Sequence, residues 1–495
     1  VKFSRIRLEK IRRLRLGAAP RVVDLFSGCG GLSLGFQAAG FELRGGLELD
    51  SLAAESHARN FFGSSAELFE LHKAPTDITE TSPEEFLDHL KIQDDLDGAI
   101  DVIVGGPPCQ AYSIVGRAKL REVANDPEAY KNDDRGDLYR DYLEYVNALQ
   151  PLAILIENVP EILRYGNSNV PELICDQLAA LGYVSRYTII NSVHYGVPQL
   201  RDRMCLIALC EELDAEPLFP TPTHRFALPR GYKNLRDDVS RKWGGDGLFR
   251  SPHFVKPVDN PADGIPAVTA EEAIGDLPPI RSHLNGGSRR GARRFTRLTP
   301  YDNRRRLSSY ARSMRNWNGF DNDVGIYDHV IRHLPRDYQI FERMNPGDEY
   351  PAAHKVAMTI FDERLRALAR RGTAPKPGSA AYNELKKTIV PPYDPTKFAN
   401  KWRKLDAREP SRTITAHIGK DSYSHIHYAD DQARTISVRE AARLQSFPDG
   451  FRFAGTLDPA LKQIGNSVPP LFAAALAEAI NQQLATHAIV TKRRA

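Results

Sequence analysis

The chain has 495 residues, 41% of them apolar, and its 67 Lys and Arg against 63 Asp and Glu leave a formal charge of only +4. That length exceeds one ordinary core and allows two or more lobes, while the small net charge means that any polyanion site must come from local clustering. Five cysteines without a close CxxC pair argue against a disulfide framework or a structural metal site, no run approaches a membrane span, and the basic start VKFSRIRLEKIRRLRLG lacks the apolar run of a secretory signal, so a soluble intracellular enzyme is expected.

In chain order, Arg21 to Phe26 reads as a short strand, Gly31 to Ala39 as a helix, Leu43 to Leu49 as a strand and Leu52 to Asn60 as a helix. This is the βαβ rhythm of a parallel sheet. Val102 to Gly105 and Ala153 to Glu157 add strands around the helical stretch Leu138 to Leu149, and Val184 to Val193 with Met204 to Leu209 form a closing pair across the turn Tyr195-Gly196-Val197-Pro198. The expected fold is α/β, a doubly wound and mostly parallel sheet. From Glu216 to about Asp431 the chain turns rich in Pro, Gly and Arg with weak periodicity, the pattern of an irregular lobe that displays binding loops. Helices return over Val438 to Gln445 and Leu471 to Ala485.

Three strand ends carry chemistry. DLFSGCGG, Asp24 to Gly31, opens a helix with a glycine turn whose backbone N–H groups can approach a ligand closely, and Glu48 and Asp50 end the next strand about 20 residues on, where an acidic side chain accepts from ribose hydroxyls. A tight turn without a ligand is the alternative for the glycines alone. The absence of GxxxxGK[ST] argues against a triphosphate bound in that manner. DVIVGGPPCQ, Asp101 to Gln110, ends an apolar strand in a stiff Pro107-Pro108 turn that presents Cys109, either a nucleophile or an inert buried thiol. ILIENVP, Ile154 to Pro160, puts the carboxylate of Glu157 at a third strand end.

With these segments, GGPPCQAYS from Gly105, ENVP from Glu157, QLRDR from Gln199, REAARLQSFP from Arg439 and QIGNSVPP from Gln463, the chain resembles the DNA (cytosine-5) methyltransferases of bacterial restriction-modification systems over nearly its whole length. The resemblance implies S-adenosylmethionine as cofactor, S-adenosylhomocysteine as product, and methyl transfer to C5 of a cytosine flipped out of a specific duplex, through a cysteine–C6 adduct. It implies that Phe26, Gly28, Gly30 and Gly31 surround the methionine and ribose, that Glu48 holds the ribose and Asp77 and Ile78 the adenine, and that Asn466 and Ser467 return to complete the pocket. Cys109 is the implied nucleophile. Glu157 is implied to hold the cytosine N3 and amino group, with Arg201 and Arg203 on the base, its phosphates or the acidic side chain. Gln110 to about Arg135, including Ser113 and Arg117, would be a loop closing over DNA, although Val115 stands where many relatives have a small polar residue.

The implied division is a catalytic and cofactor domain over 1–216, a target-recognition domain over 217–431 and a returning segment over 432–495. Eight arginines between Arg289 and Arg306, with Asp302 the only acid, suit phosphates, and Arg304 and Arg305 are the representative pair; a merely solvated basic surface is the alternative. In the segment Arg412 to Tyr428, Thr413, Thr415, His417, Lys420 and Ser422 are expected to reach base edges or fill the hole left by the flipped base. The expected partner is double-stranded DNA, with a cognate restriction endonuclease that forms no stable complex, no membrane and no metal. The protein is expected to be a monomer in the cytoplasm, associated with the nucleoid. A transfer-RNA cytosine methyltransferase and a catalytically silent DNA-binding module are the rival readings.

Overall fold

The computed structural model describes residues 4–92, 98–108, 138–164, 169–244, 251–258, 261–287, 297–420 and 423–490. Two compact units emerge, Val1–Ala267 with Ser467–Ala495, and Val268–Asn466.

The first unit is built on six strands: β1 (Arg21–Leu25), β2 (Glu42–Leu47), β3 (Val102–Gly105), β4 (Ala153–Asn158), β5 (Tyr183–Asn191) and β6 (Asp202–Cys210). Their order is β2-β1-β3-β4-β6-β5, with the first four parallel and β6 antiparallel to both neighbours. β3 and β4 are buried at every position, which is why their sequences run apolar without alternation up to Gly105 and Ile156. The chain leaves β1 for β2 on one side and crosses back to β3 on the other. The carboxyl ends of β1 and β3 therefore flank the crevice where doubly wound sheets hold ligands.

Two helices pack on this sheet and on each other. Pro470–Val490 packs on Gly31–Ala38 so closely that a Cβ on Gly35 would lie 2.4 Å from that of Ala473. At the amino ends of β3, β4 and β5 lies Arg5–Arg15, the basic segment that the sequence marks only by what it lacks. Its Lys10 Nζ is buried and donates to the carbonyls of Ile100 (2.6 Å), Leu149 (2.7 Å) and Gln150 (3.0 Å), while Arg7 donates to those of Leu181 and Gly182. Orphan carbonyls before β3, β4 and β5 thus receive cationic donors.

The second unit holds an aromatic cluster in which Trp402 meets Phe341, Tyr350 and Tyr423 with ring centroids 5.3, 5.4 and 4.9 Å apart. A set of buried ion pairs lies beside the helix Val438–Leu444: Arg434 with Glu440 (2.7 Å), Arg439 with Asp328 (3.0 Å), and Arg443 with Asp449 (2.6 Å) and Asp276 (3.1 Å). Burial raises the Glu440 carboxyl, and the charge and hydrogen bonds of Arg434 outweigh it and hold the group below the usual range. The region is less irregular than its composition suggests, since Tyr350–Arg370 and Ala380–Ile389 are helices.

These contacts move the unit boundaries away from 216/217 and 431/432. Residues 217–267 stay with the sheet because Arg236 pairs with Asp202 on β6 (3.1 Å) and Phe254 bridges Tyr187 on β5. Residues 432–466 stay with the second unit because Arg434, Arg439 and Arg443 anchor there, and the return begins at Ser467. No helix among the described residues is long and apolar enough to cross a membrane.

Candidate active site

β3 ends at Gly105 and runs into Gly106-Pro107, whose carbonyl at Pro107 accepts from Asn158 Nδ2 at 3.1 Å. The turn that precedes Cys109 is therefore tied to the end of β4. A Cβ on Gly106 would stand 3.1 Å from Glu157 Oε2, so a glycine lets the turn pass beside that carboxylate. Across the sheet Glu157 pairs with Cys205, and Arg203, two residues earlier on β6, reaches back to place Nε 2.6 Å from Glu157 Oε1. Both side chains are nearly buried.

Arg201, expected with Arg203 on the base, its phosphates or the acidic side chain, is 2% exposed and donates to the Ser467 carbonyl at 3.0 Å, tying the start of β6 to the returning segment. Cys109, Gln110, Ser113 and Arg117 lie outside the described residues, as do the rest of the expected loop and Ser422. The other four cysteines, Cys29, Cys175, Cys205 and Cys210, are buried, and burial pushes the thiols of Cys29 and Cys210 up to about 12. At neutral pH such thiols are inert.

At the end of β1, Phe26 (φ 66°), Gly28 (φ 55°) and Gly30 (φ 104°) turn the chain through the left-handed region. Glu48 braces that turn, accepting from Gly28 N at 2.8 Å through Oε2 and from Asp50 N at 2.7 Å through Oε1. Asp50 caps the helix Ser51–Phe61 through Leu52 N and Ala53 N. The glycines differ in what requires them. A Cβ on Gly30 would lie 2.3 Å from the Phe61 ring, and one on Gly31 2.1 Å from Ser467 Oγ, whereas Gly28 faces open space. Packing explains Gly30 and Gly31, and the second contact brings the late Ser467 turn against the glycine turn. Asn466 is exposed at the end of the helix Leu457–Asn466. The Glu48 carbonyl accepts from Thr76 N at 2.8 Å, which leads the chain to Asp77, half-buried and capping Thr79, and to Ile78, 5% exposed in the core.

Sequence reasoning missed the support behind this turn. Asp24 Oδ2 accepts from Ser33 N (3.1 Å) and Ser33 Oγ (2.7 Å), and Ser33 Oγ lies 3.0 Å from His57 Nε2. Burial pushes the Asp24 carboxyl up to about 7, and its Oδ1 makes no hydrogen bond among the described residues. Burial, and then His72, bring His57 down to about 3, so the imidazole is neutral. Ser33 is visible as a polar residue in an apolar helix; nothing local links it to His57.

In the second unit Arg304 is exposed and paired with Asp302 (3.0 Å), while Arg305 donates to the Gly275 carbonyl at 2.7 Å. Four of the eight clustered arginines, at 289, 290, 293 and 294, lie outside the described residues. Thr413 is half-buried, and Thr415, His417 and Lys420 are exposed.

A family model described as C-5 cytosine-specific DNA methylase matches residues 20–482. The chain belongs to that family. It is 39% identical to a type II methyltransferase candidate of Oceanobacillus iheyensis, over 94% of this chain and 96% of the relative. It is 30% identical to the type II methyltransferase M.AgeI of Thalassovita gelatinovora, over 93% and 99%. Among solved structures, a candidate DNA modification methyltransferase encoded within an E. coli prophage shares the fold, with a TM-score of 0.58 at 22% identity over 94% of this chain and 99% of that one. As a C-5 cytosine methylase, the protein transfers a methyl group from S-adenosylmethionine to C5 of cytosine in DNA through a covalent cysteine intermediate.

Proposed function

We propose that Cys109 is the nucleophile of this methylase, that Glu157 holds the target base at N3 and the amino group, and that Arg203 fixes Glu157 in place. The observation that carries the reading is the Glu157–Arg203 pair at 2.6 Å, standing beside a turn whose Pro107 carbonyl is held by the neighbouring Asn158. The carboxylate and the turn that leads to Cys109 are thereby built as one unit. The inertness of the four other cysteines supports Cys109 as the reacting thiol.

The cofactor pocket fits the family's chemistry. Gly28 faces open space, the Glu48 carboxylate stands at the glycine turn where it accepts from Gly28 N and Asp50 N, and the Asp24 Oδ1 is buried without a hydrogen bond among the described residues. Phe26, Gly28, Gly30 and Gly31 would surround the methionine and ribose, Glu48 would hold the ribose, Asp77 and Ile78 would meet the adenine, and Asn466 and Ser467 would close the pocket. Bound S-adenosylmethionine supplies an electrophilic methyl carbon on a sulfonium.

Cytosine C5 is a poor nucleophile until the Cys109 thiolate adds at C6. A hydrogen bond or proton from Glu157 to N3 lets the ring accept that electron pair. C5 then takes the methyl group, the C5 proton leaves, and its electron pair restores the C5–C6 double bond as the C6–S bond returns its electrons to Cys109. These atoms are out of reach in a stacked duplex, so the base is flipped out at a cost of a few kcal/mol.

The second unit would select the sequence, with the arginine cluster on phosphates and residues 413–422 on base edges. The type II methyltransferase relatives support a modification enzyme; in this reading it shields sites from a separate endonuclease and acts as a monomer in the cytoplasm, at the nucleoid. Labelled methyl transfer to duplex DNA and transfer RNA side by side tests the substrate. Label in DNA alone, lost in Cys109→Ser, is the expected result; label in transfer RNA alone would overturn it.

A further inference from the structure

An open cavity of about 540 Å³ in the second unit is lined by Lys397, Phe398, Asn400, Lys401, His417 and Lys420, with no carboxylate among its lining residues. Its two walls come from segments far apart in sequence. Each is held by buried neighbours while its polar side chains stay exposed. On one wall, Trp402 is 0% exposed in the aromatic cluster and Lys401 Nζ sits 3.6 Å over the Tyr393 ring, which anchors the stretch that presents Lys397, Phe398 and Asn400. On the other, Ile418 and Gly419 are buried, a Cβ on Gly419 would stand 3.1 Å from Asp458 Oδ1, and the turn His417–Lys420 closes through Lys420 N to the His417 carbonyl at 3.0 Å.

This composition selects its ligand class. Phe398 remains 48% exposed, so an apolar ring is held in water within reach of ammonium groups, and Lys401 Nζ lies 5.6 Å from its centroid. Three lysines and no carboxylate among the lining residues suit repeated negative charge. A flat exposed ring asks for a π-face or a methyl group, and an amide and an imidazole ask for hydrogen-bonding edges. Nucleic acid offers all of these within one cavity's reach.

We propose that this cavity is a DNA-reading cleft, in which Lys397 and Lys420 take phosphates while Phe398, Asn400 and His417 meet the bases between them. It rests on the reading of the second unit as the target-recognition region, and it adds the segment 397–401, which the sequence does not single out, to His417 and Lys420.

The test uses the full-length protein, cognate and unrelated duplexes at several salt concentrations, and methylation maps of DNA from cells carrying each variant. The double variant Lys397→Ala/Lys420→Ala is expected to weaken both duplexes alike and to reduce the log–log salt slope by about two. Phe398→Ala and Asn400→Ala are expected to narrow the preference for the cognate duplex roughly tenfold or more and to spread methylation to related sites. Phe398→Tyr, which keeps the ring, retains the preference, and cofactor affinity and the thermal transition stay as in the wild type. Unchanged salt slopes and methylation maps in folded variants would overturn the cleft. The variant Thr413→Ala/Thr415→Ala separates the levels: if it alters the map while the cavity variants do not, the cleft alone falls, and if neither does, the recognition role of the second unit falls with it.

Discussion

Glu157 sits where two demands meet, since it must accept from the base in the ground state and supply a stronger hydrogen bond as the ring takes up electrons. Arg203 Nε at 2.6 Å orients the carboxylate, and the glycine at 106 leaves its other oxygen facing the turn. Glu157→Gln keeps the shape, loses the carboxylic proton and leaves Arg203 without its counter-charge. Single-turnover methylation should fall by roughly 10²- to 10⁴-fold, the usual weight of a positioned acid or base, while duplex affinity in a filter or anisotropy assay stays within a few-fold. A variant that lost DNA affinity but methylated at the normal single-turnover rate would place Glu157 outside the chemical step.

At the scale of elements, the helix Arg5–Arg15 is fastened by a buried ammonium that serves three backbone carbonyls. Lys10→Met keeps the stem and orphans those carbonyls, which should destabilise the first unit by about 2–4 kcal/mol in urea unfolding; an unchanged midpoint would refute the clamp. This clamp shows where sequence reading stops. β3 and β4 were legible because both faces are buried and their residues run apolar without alternation up to Gly105 and Ile156, and the glycine turn was legible because left-handed backbone at residues 28 and 30 favours glycine. The partners of Lys10 lie 90, 139 and 140 residues away and are carbonyls, to which side-chain identity gives no clue. The same holds for Ser33 with His57, and for Arg443 with Asp276, a pairing that moved a unit boundary. The helix Tyr350–Arg370 escaped notice because two of its buried positions, 353 and 357, are alanines, whose weak contrast blurs the helical period.

For the whole molecule, both units bury neutral histidines. Burial brings His57 and His427 down to about 3 and His72 and His425 down to about 4, from an ordinary 6.5. Between those values the unfolded chain binds protons that the folded chain does not, so stability falls as pH drops below 6.5. Asp24 opposes this: raised to about 7, it keeps its proton when folded, and its contribution declines as pH rises from the usual carboxylate range through 7. Burial also lowers His224, His283, His329 and His354 and raises Asp101 and Asp337, so eight imidazoles stand against three carboxyls and predict a calorimetric Tm that is lower at about pH 5 than at about pH 7; a Tm that rises on acidification would contradict the burial of these imidazoles in neutral form. The central claim is that Cys109 bonds to the base, and it is tested most directly by trapping. A cognate duplex with 5-fluorocytosine at the target, incubated with the wild-type protein and S-adenosylmethionine, cannot lose its C5 substituent. The account predicts a protein–DNA adduct that survives denaturing electrophoresis, maps by mass spectrometry to the peptide bearing Cys109, and is absent from Cys109→Ser. An adduct of equal yield in Cys109→Ser, or none from wild-type protein active on ordinary DNA, would contradict it.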